Sequence, residues 1–428
     1  MEGDHQNASR IPYHHLWLVA LFIGFVGGLT SGTFQPGPNT SSPYHLLQAD
    51  AFLAGRLDIE PLEHRYDLAY RDGKWLTKWG YVPAAALVPV RWALGPALTD
   101  RGVAIGIGLL TMLVWYLVVR RLPHLGLPAL GTGEVLLLTF YCSFGQLTFN
   151  LAKAPAASYM NHLFAFFFLS LCVLFLLHPT RGHMLAATAM FCLACLTRVS
   201  LFLIAPFFVA TMLAVMRGNW LIWKCPATLK AGTVMGASIG LSVCFYLYLN
   251  YVRFGSALEF GNTFVDIGNW PDEPTHSFRH VPRNLWIYLV SPVTYSLTRP
   301  FVRGDLAGNA IWSYQFGVLI PLLALAWIAR SGRPRIFVAD NGVRRRTATL
   351  MAGLAIMWCV YFVYLLVHRW TGAITFGGRY LLDTQPFLLL IILVSYAVVR
   401  DQPVMRVFSM TCLFLSGVVQ ILSPRMLR

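Results

Sequence analysis

Long apolar runs dominate this amino-acid sequence and restrict its fold. A membrane-spanning helix needs about 20 predominantly apolar residues, with a lower limit near 17, and about eleven segments approach or reach that length. They occupy residues 15–31, 102–119, 131–150, 161–178, 184–199, 200–216, 230–251, 312–329, 349–367, 381–399 and 406–422. The sequence therefore predicts an all-α polytopic membrane protein with about eleven transmembrane helices.

The composition also indicates a membrane protein. Charged residues make up 12% of the chain and the mean hydropathy is +0.59, whereas an ordinary soluble domain has roughly 25% charged residues. The first apolar run follows Arg10 and is not followed by a small-residue cleavage site. We therefore expect a retained anchor with a cytoplasmic N-terminus.

The formal net charge of +15 is best explained by membrane topology. Basic residues concentrate in alternate connections between the apolar runs, where they far outnumber the acidic residues Asp340 and Asp401. Cytoplasmic loops of membrane proteins carry this excess of Lys and Arg. Nucleic-acid binding would need a soluble domain with a basic, aromatic-rich face, so we predict no nucleic-acid partner.

The predicted topology depends on the segment Tyr81–Gly95, which is broken by Pro83, Pro89 and Arg91. We interpret it as interfacial or re-entrant; if it spanned, the arginines of residues 330–346 would move to the outer face. Two long loops then lie outside, at residues 32–101 and 252–311, and hold most of the acidic residues. Loops of this length are usually functional.

The sequence has no P-loop, no HExxH and no dinucleotide-binding fingerprint. The eight cysteines lie in or beside predicted spans, so no disulfide framework is predicted. Cys192 and Cys195 form a CxxC inside an apolar run, where we interpret them as packing residues. His276 and His280 have the spacing of a metal pair, but a solvated loop explains them better.

The stretch Pro43–Pro61 predicts a short helix with an acid in its apolar stripe. On a helical projection Asp50 lies among leucines, whereas His45 and Gln48 lie on the opposite side. We expect the leucine side to face the protein core. Because an unpaired buried charge is costly, Asp50 needs either a partner, such as an arginine, or a function as a general base.

The predicted outer face combines carboxylates, arginines and aromatic residues. A lipid-linked phosphate needs cations at the membrane surface, and guanidinium groups suit bidentate contacts with it. A sugar hydroxyl that acts as acceptor needs a carboxylate base. The candidates for these contacts are Tyr44, Asp50, Asp67, Trp75, Trp79, Arg253, Arg279, Arg283, Arg379 and Tyr380.

Three stretches of this face resemble segments of bacterial membrane glycosyltransferases of the GT-C superfamily. "YHLLQADAFLAGRLDI" followed by "DLAYRDGKW" resembles the first periplasmic loop, "NYVRFGSALEFG" resembles the segment after the seventh span, and "FGGRYLLDTQPFLLL" resembles the start of a late helix. The resemblance implies a seven-span GT-C-like core with two long outer loops bearing juxtamembrane helices in residues 1–311, followed by C-terminal transmembrane helices in residues 312–428.

The resemblance also implies an activity and a location. Enzymes of this kind perform inverting transfer of a sugar from a polyprenyl-phosphate donor to a glycan, lipid or protein acceptor, at the periplasmic face of the bacterial inner (cytoplasmic) membrane. A first-loop aspartate, Asp50 or Asp67, would be the general base, and Arg379 would hold the donor phosphate. The other predicted substrate-binding residues are Tyr44, His45, Arg56, Lys74, Arg253, Glu259 and Tyr380. No cofactor is predicted with certainty, and a divalent cation held by outer-loop carboxylates stays an open alternative.

The chain departs from that family at two places. "GPNTSSPY" after the first apolar run contains no acid, and "KWGYVPAAA" keeps only Pro83 of a proline-rich segment. These departures support a second hypothesis, a catalytically inactive GT-C-like membrane subunit that binds lipid or a partner complex. A transporter is a third hypothesis. It has less support, because the predicted spans have almost no acids away from their ends. Asp383 lies just inside a span, but it is equally consistent with an interfacial cap.

Overall fold

The computed structural model describes residues 14–35, 37–60, 65, 67–178, 180–217, 226–265, 274–298, 301–305, 308–331, 341–372 and 378–423. Several residues used in the sequence analysis lie outside the described residues, among them Arg10, Cys225 and Asp340. The described helices are α1 His14–Thr30, α2 Tyr44–Leu53, α3 Val82–Leu94, α4 Asp100–Arg121, α5 Thr132–Phe144, α6 Leu147–Lys153, α7 Ala157–Leu176, α8 Arg181–Thr197, α9 Ala205–Arg217, α10 Pro226–Phe254, α11 Val281–Leu285, α12 Leu319–Ser331, α13 Asn341–Val367, α14 Gln385–Val399 and α15 Pro403–Leu422.

Six of the described helices are long and apolar enough to cross a membrane: α4, α7, α9 with the 3₁₀ segment before it, α10, α13 and α15. The pair α5 and α6 is bent by 52° and gives up to a seventh span. The shorter apolar helices α1, α8, α12 and α14 coincide with other predicted runs. The chain is thus a multi-pass membrane protein, while the total of about eleven spans stays a prediction.

The helix α7 lies at the centre of the bundle. Its span is 83% buried inside the protein, and it packs against α4, α8 and α14. Its apolar face belongs to one large core that also includes most of α14. Because lipid does not drive apolar helices together as water does, such extensive burial of one helix implies close side-chain packing around it.

The two long loops pack at the same end of this bundle, which we call the loop-bearing end. There α1, α8, α10 and α13 end, and α4, α7 and α14 begin. His45 of the first loop lies 3.0 Å from the carbonyl oxygen of Ala157 at the start of α7. Arg253 at the end of α10 donates to the carbonyl oxygen of Thr77, also at 3.0 Å.

The opposite end of the bundle gathers basic residues. Thr347 of α13 donates a hydrogen bond to the carbonyl oxygen of Leu125 there, and the rings of His124 and His178 lie 4.0 Å apart. The basic residues at helix ends on this side include Arg121, Arg181, Arg217, Arg330, Arg344 and Arg400. The charge segregation expected from the sequence is therefore present between the two ends of the structure.

The segment Tyr81–Gly95 forms α3, which stays at the loop-bearing end. The ring of Tyr81 packs edge-on against Phe52 of α2 at 5.2 Å, and near the other end of α3 Arg91 binds Asp50 of the same helix α2. Because both ends of α3 contact the short helix α2, α3 does not carry the chain to the opposite end of the bundle.

Two small antiparallel hairpins correct the purely α-helical prediction. Strands β1 Leu68–Arg71 and β2 Lys74–Thr77 form the first, and β3 Thr294–Tyr295 and β4 Val302–Arg303 form the second. Asp72 and Gly73 connect β1 to β2 with φ values of 50° and 77°. An Asp-Gly pair with positive φ is the preferred two-residue hairpin connection, and the sequence analysis overlooked this signal.

The first hairpin lies between α2 and the end of α10. Leu68 packs with Tyr44 and Ala51 of α2, whereas its neighbour Ala69 packs with Phe254 of α10. Successive strand residues point to opposite faces, so burial of both Leu68 and Ala69 means that both faces of the hairpin are covered. The hairpin therefore links the first long loop to the second.

Candidate functional site

The helix α2 buries residues from both of its predicted sides. His45 and Gln48 are buried, whereas Leu53 is exposed. Gln48 Nε2 donates to the carbonyl oxygen of Leu57 at 3.0 Å, and Thr77 Oγ1 donates to Gln48 Oε1. Hydrogen-bonded polar side chains can be buried at low cost. Leu46 of the leucine side is also buried, so the expectation that this side faces the core holds for Leu46 and fails for Leu53.

His45 is a neutral member of this buried side. Burial lowers the pKa of His45 to about 4, although the nearby carbonyl of Ala157 acts in the opposite direction. A neutral imidazole has one N–H donor, and the 3.0 Å separation from Ala157 assigns that donor to Nε2. His45 therefore ties α2 to the start of α7.

Asp50 has an arginine partner. Arg91 Nε and Nη2 donate to the two carboxylate oxygens of Asp50 at 2.7 and 2.8 Å. Arg91 Nη1 also donates to the carbonyl oxygens of Gly95 and Leu98. Of the two interpretations of Asp50, the structural bond to an arginine is present, and its function as a base stays a prediction.

Asp67 lies where the hairpin, α2 and α7 meet. Lys78 Nζ donates to Asp67 Oδ1 at 2.9 Å. Burial and, to a smaller extent, the negative charge of Asp67 together raise the pKa of Tyr44 to about 12. The Asp67 carboxylate is also within electrostatic range of the Tyr159 phenol at the start of α7. Asp67 thus faces two buried tyrosines.

Arg379 also lies beside Tyr159. Its Cζ atom lies 5.1 Å from the centroid of the Tyr159 ring and 5.3 Å from that of Tyr380. We call Tyr44, Asp67, Lys78, Tyr159, Arg379 and Tyr380 the acid–arginine cluster.

The charges of the acid–arginine cluster favour an anionic ligand. Lys78 balances Asp67, whereas Arg379 forms no ion pair with a carboxylate in the described part of the chain, and its buried Nε has no hydrogen-bond partner there. A buried guanidinium without an anion is costly. The cluster can therefore bind one negatively charged group beside the Asp67 carboxylate.

Arg253, another predicted substrate-binding residue, is buried and fully engaged by the protein. Its Nη1 donates to the carbonyl oxygens of Thr77 and Trp79 at 3.0 and 2.9 Å, and its Nη2 donates to Asn250 Oδ1 at 2.7 Å. These bonds join the end of α10 to the first hairpin. The predicted contact of Arg253 with substrate stays a prediction.

The predicted residues Arg56, Lys74 and Glu259 lie apart from the cluster. Arg56 is exposed and pairs with Asp58 and Glu60 at 3.6 and 3.0 Å. Lys74 is exposed at the start of β2, and Glu259 is half-buried. Among the residues that the structure describes, no hydrogen bond, ion pair or ring contact joins these three side chains to the acid–arginine cluster.

Asp100 lies against the segment after α1 that lacks an acid of its own. The backbone N–H of Thr40 donates to both Asp100 carboxylate oxygens, at 3.1 and 3.2 Å, and Asn39 Oδ1 accepts from the Asp100 backbone N–H at 2.9 Å. Both Asp100 oxygens are thereby occupied. This carboxylate holds the loop after α1 against the start of α4.

Sequence reasoning missed a second polar group, which we call the Asp383 cluster: His162, Arg198, Tyr361 and Asp383. Asp383 is fully buried and accepts hydrogen bonds from the other three side chains. The only signal in the sequence was an acid near the start of an apolar run. Its partners come from distant parts of the chain, so no local motif announces the cluster.

No metal centre is found among the described residues, because no three His, Cys, Asp or Glu side chains are arranged to hold an ion. The two histidines with metal-pair spacing are used differently. His280 Nε2 lies 3.2 Å from the carbonyl oxygen of Pro274, and the His276 ring packs 5.0 Å from that of His368.

Comparisons with known proteins give a fold but no family by sequence. No protein-family model matches the chain, and no curated protein matches it. The structure is similar to that of the Archaeoglobus fulgidus oligosaccharyltransferase in its apo form, with a TM-score of 0.51 and 13% identity, covering 98% of this chain and 57% of that one.

The same archaeal enzyme, tethered through a disulfide bond to an acceptor peptide containing the NVT sequon, gives a TM-score of 0.50 and 12% identity, covering 96% of this chain and 55% of that one. This chain therefore spans just over half the length of the enzyme. The oligosaccharyltransferase is a glycosyltransferase with the GT-C fold, and at this level of identity the likeness shows the fold alone.

Proposed function

We propose that this protein is a membrane glycosyltransferase that moves a sugar from a polyprenyl-phosphate donor to an acceptor at the periplasmic face of the bacterial inner membrane. The observation that supports the proposal is that Asp67 and Arg379 both lie near Tyr159 at the start of α7. These residues are 312 positions apart in the sequence. The GT-C fold supports the same conclusion.

The two charged groups have the chemistry that inverting sugar transfer needs. The Asp67 carboxylate accepts the proton of the acceptor hydroxyl while the hydroxyl oxygen attacks the anomeric carbon from the side opposite the phosphate. The bond between the anomeric carbon and the phosphate oxygen breaks, and its electrons stay on the polyprenyl phosphate. Arg379 stabilises the negative charge that this leaving group gains.

Lys78 orients the proposed base. Its ammonium group binds Oδ1 of Asp67, which leaves Oδ2 for the acceptor hydroxyl. Asp50 is less suited to that function because Arg91 occupies both of its oxygens.

The acceptor is a glycan, a lipid or a protein. The archaeal neighbour has been crystallised with an acceptor peptide, which supports a peptide among the candidates. The loop-bearing end holds the acid–arginine cluster and lies opposite the basic helix ends. The positive-inside tendency of membrane proteins therefore supports a periplasmic position for the cluster.

Mass spectrometry of lipids that co-purify with the protein tests the donor class. We expect a polyprenyl phosphate or its sugar conjugate to co-purify with the wild-type protein and to be depleted from Arg379→Ala. An Arg56→Ala variant provides a matched control, because Arg56 is an exposed arginine of the same face. Equal polyprenyl-phosphate content in all three proteins would contradict the assignment of Arg379.

A catalytically inactive GT-C-like subunit is the second candidate function. It is favoured by one observation: both first-loop acids proposed as the base are held in ion pairs, Asp50 by Arg91 and Asp67 by Lys78. An inactive subunit would retain polyprenyl phosphate or a stoichiometric partner complex without transferring sugar. A transfer assay on the purified protein separates the two candidates.

A further inference from the structure

The Asp383 cluster satisfies a buried carboxylate completely. His162 Nδ1 lies 2.7 Å from Oδ1 of Asp383. Its Oδ2 accepts hydrogen bonds from Arg198 Nε and Nη2 at 3.0 and 2.9 Å, and from the Tyr361 hydroxyl at 2.6 Å. The four residues come from α7, the junction after α8, α13 and the 3₁₀ turn Arg379–Asp383.

A network of this kind fixes geometry more than it adds stability. Taking a carboxylate and a guanidinium out of water costs several kcal/mol each, and well-packed apolar residues often serve stability equally well. A fully satisfied polar network instead holds its members in one arrangement.

The 3₁₀ turn connects the Asp383 cluster to the acid–arginine cluster. It begins at Arg379 and ends at Asp383, and α7 contacts both of its ends. Tyr159 lies under the Arg379 guanidinium, while His162, three residues further along α7, binds Asp383. Residues three apart lie on the same face of a helix, so α7 and Asp383 together set the position of Arg379.

Arg198 approaches the same tyrosine as Arg379. Its Cζ lies 5.5 Å from the centroid of the Tyr380 ring, and that of Arg379 lies 5.3 Å from it. Asp383 engages Nε and Nη2 of Arg198. No hydrogen bond to Nη1 is present within the described ranges, and the side chain is 18% exposed. One edge of Arg198 is thus left for a ligand.

We infer that Asp383 is a positioning residue, which holds Arg198 and the turn Arg379–Asp383 so that both guanidinium groups beside Tyr380 bind one phosphate group. Guanidinium groups match the geometry of phosphate oxygens. The ligand is a phosphate, either that of a polyprenyl lipid or the free ion. The lipid assignment rests on the proposed function.

Binding measured apart from catalysis tests this inference. The full chain in lipid nanodiscs is titrated with undecaprenyl phosphate and, in a second arm, with inorganic phosphate as competitor. We expect Asp383→Asn to weaken the binding of undecaprenyl phosphate at least about tenfold. Glu134→Gln is the matched control, since Glu134 is a buried acid bound to Tyr396 and Arg400 at the opposite end of the bundle, and we expect its affinity to stay within twofold of wild type.

A second variant keeps the test decisive if Asp383→Asn does not fold. Arg198→Lys retains the charge beside Asp383 but loses the second edge of the guanidinium, and we expect it to weaken binding at least about fivefold while thermal unfolding stays close to wild type. Wild-type affinity in either folded variant would overturn the inference.

The two arms identify the source of the phosphate. If inorganic phosphate competes with the lipid in the wild type but not in Asp383→Asn, the site binds phosphate itself. If the lipid binds and inorganic phosphate does not compete, the site binds a lipid headgroup. Failure of the wild type to bind either ligand overturns the inference. If the wild type binds the lipid, both variants bind it more weakly and no sugar transfer is detected, the result supports the inference and contradicts the proposed function.

Discussion

Lys78 Nζ and Asp67 Oδ1 lie 2.9 Å apart and close the open end of the first hairpin. The strand register pairs Leu68 with Thr77, so Asp67 and Lys78 are the next residues beyond the paired strands. The Asp-Gly turn at one end of the hairpin and this ion pair at the other hold the Asp67 carboxylate against α2 and α7. Local sequence thereby positions the proposed base.

Replacement of Lys78 by methionine should lower the rate of sugar transfer about tenfold without abolishing it. Asp67 keeps its carboxylate but loses the group that orients it, and misplaced catalytic groups lose rate steeply. Steady-state kinetics should show the loss in kcat. Lys78→Arg should recover part of the rate, and an unchanged kcat in the methionine variant would contradict an orienting role.

Replacement of Asp50 by asparagine should affect stability more than transfer. The variant weakens the bidentate pair with Arg91, which for a partly exposed ion pair is worth about 0.2–1 kcal/mol. We expect a slightly lower thermal midpoint and a transfer rate within about threefold of wild type. Loss of transfer in a stable Asp50→Asn protein would instead identify Asp50 as the base.

Replacement of Arg253 by methionine should destabilise the protein by about 3 kcal/mol, because the carbonyls of Thr77 and Trp79 lose a charged donor. Chemical denaturation should show this loss, with Arg56→Met as an exposed control. A stable Arg253→Met variant with weakened donor binding would show that Arg253 contacts the substrate, as the sequence resemblance implies.

Acid should weaken the attachment of α2 through His45. The pKa of His45 is lowered by burial from 6.5 to about 4, so the folded protein binds fewer protons than the unfolded chain between these values. The stabilisation is present above about pH 6.5 and is lost as the pH falls towards 4, by about 3 kcal/mol in total. Thermal unfolding measured across this range should show the decline, and His45→Gln should flatten it.

The sequence predicts the helices well where long apolar runs leave few alternatives. The helices that pass the length and hydropathy criteria all coincide with predicted runs, and Tyr81–Gly95, broken by two prolines and Arg91, forms a helix that stays at one end of the bundle. The motifs predict Asp67, Arg379 and Tyr380 as site residues, and their functions stay predictions. The hydropathy pattern indicates which ends of the apolar runs lie on the same side of the membrane. It therefore places these three residues at the same end of the bundle.

The sequence predicts burial poorly where a side chain is buried by contacts with residues from distant parts of the chain. The projection of α2 treated residues up to Leu57 as helical, although the helix ends at Leu53 and Gly55 has a positive φ. The projection also places His45 and Gln48 opposite the leucines and gives no sign of their burial, because the carbonyl that lies beside His45 belongs to the distant Ala157. The Asp383 cluster has no local motif for the same reason, since its members come from α7, the junction after α8, α13 and the 3₁₀ turn.

A transfer assay with Asp67→Asn measures whether Asp67 is the base of a glycosyl-transfer site. Asp72→Asn is the matched control, because Asp72 is an exposed acid in the turn of the same hairpin. We predict that Asp67→Asn lowers kcat at least about 100-fold in a folded protein that still binds polyprenyl phosphate, while Asp72→Asn transfers sugar within twofold of wild type. A wild-type rate in Asp67→Asn would contradict the account.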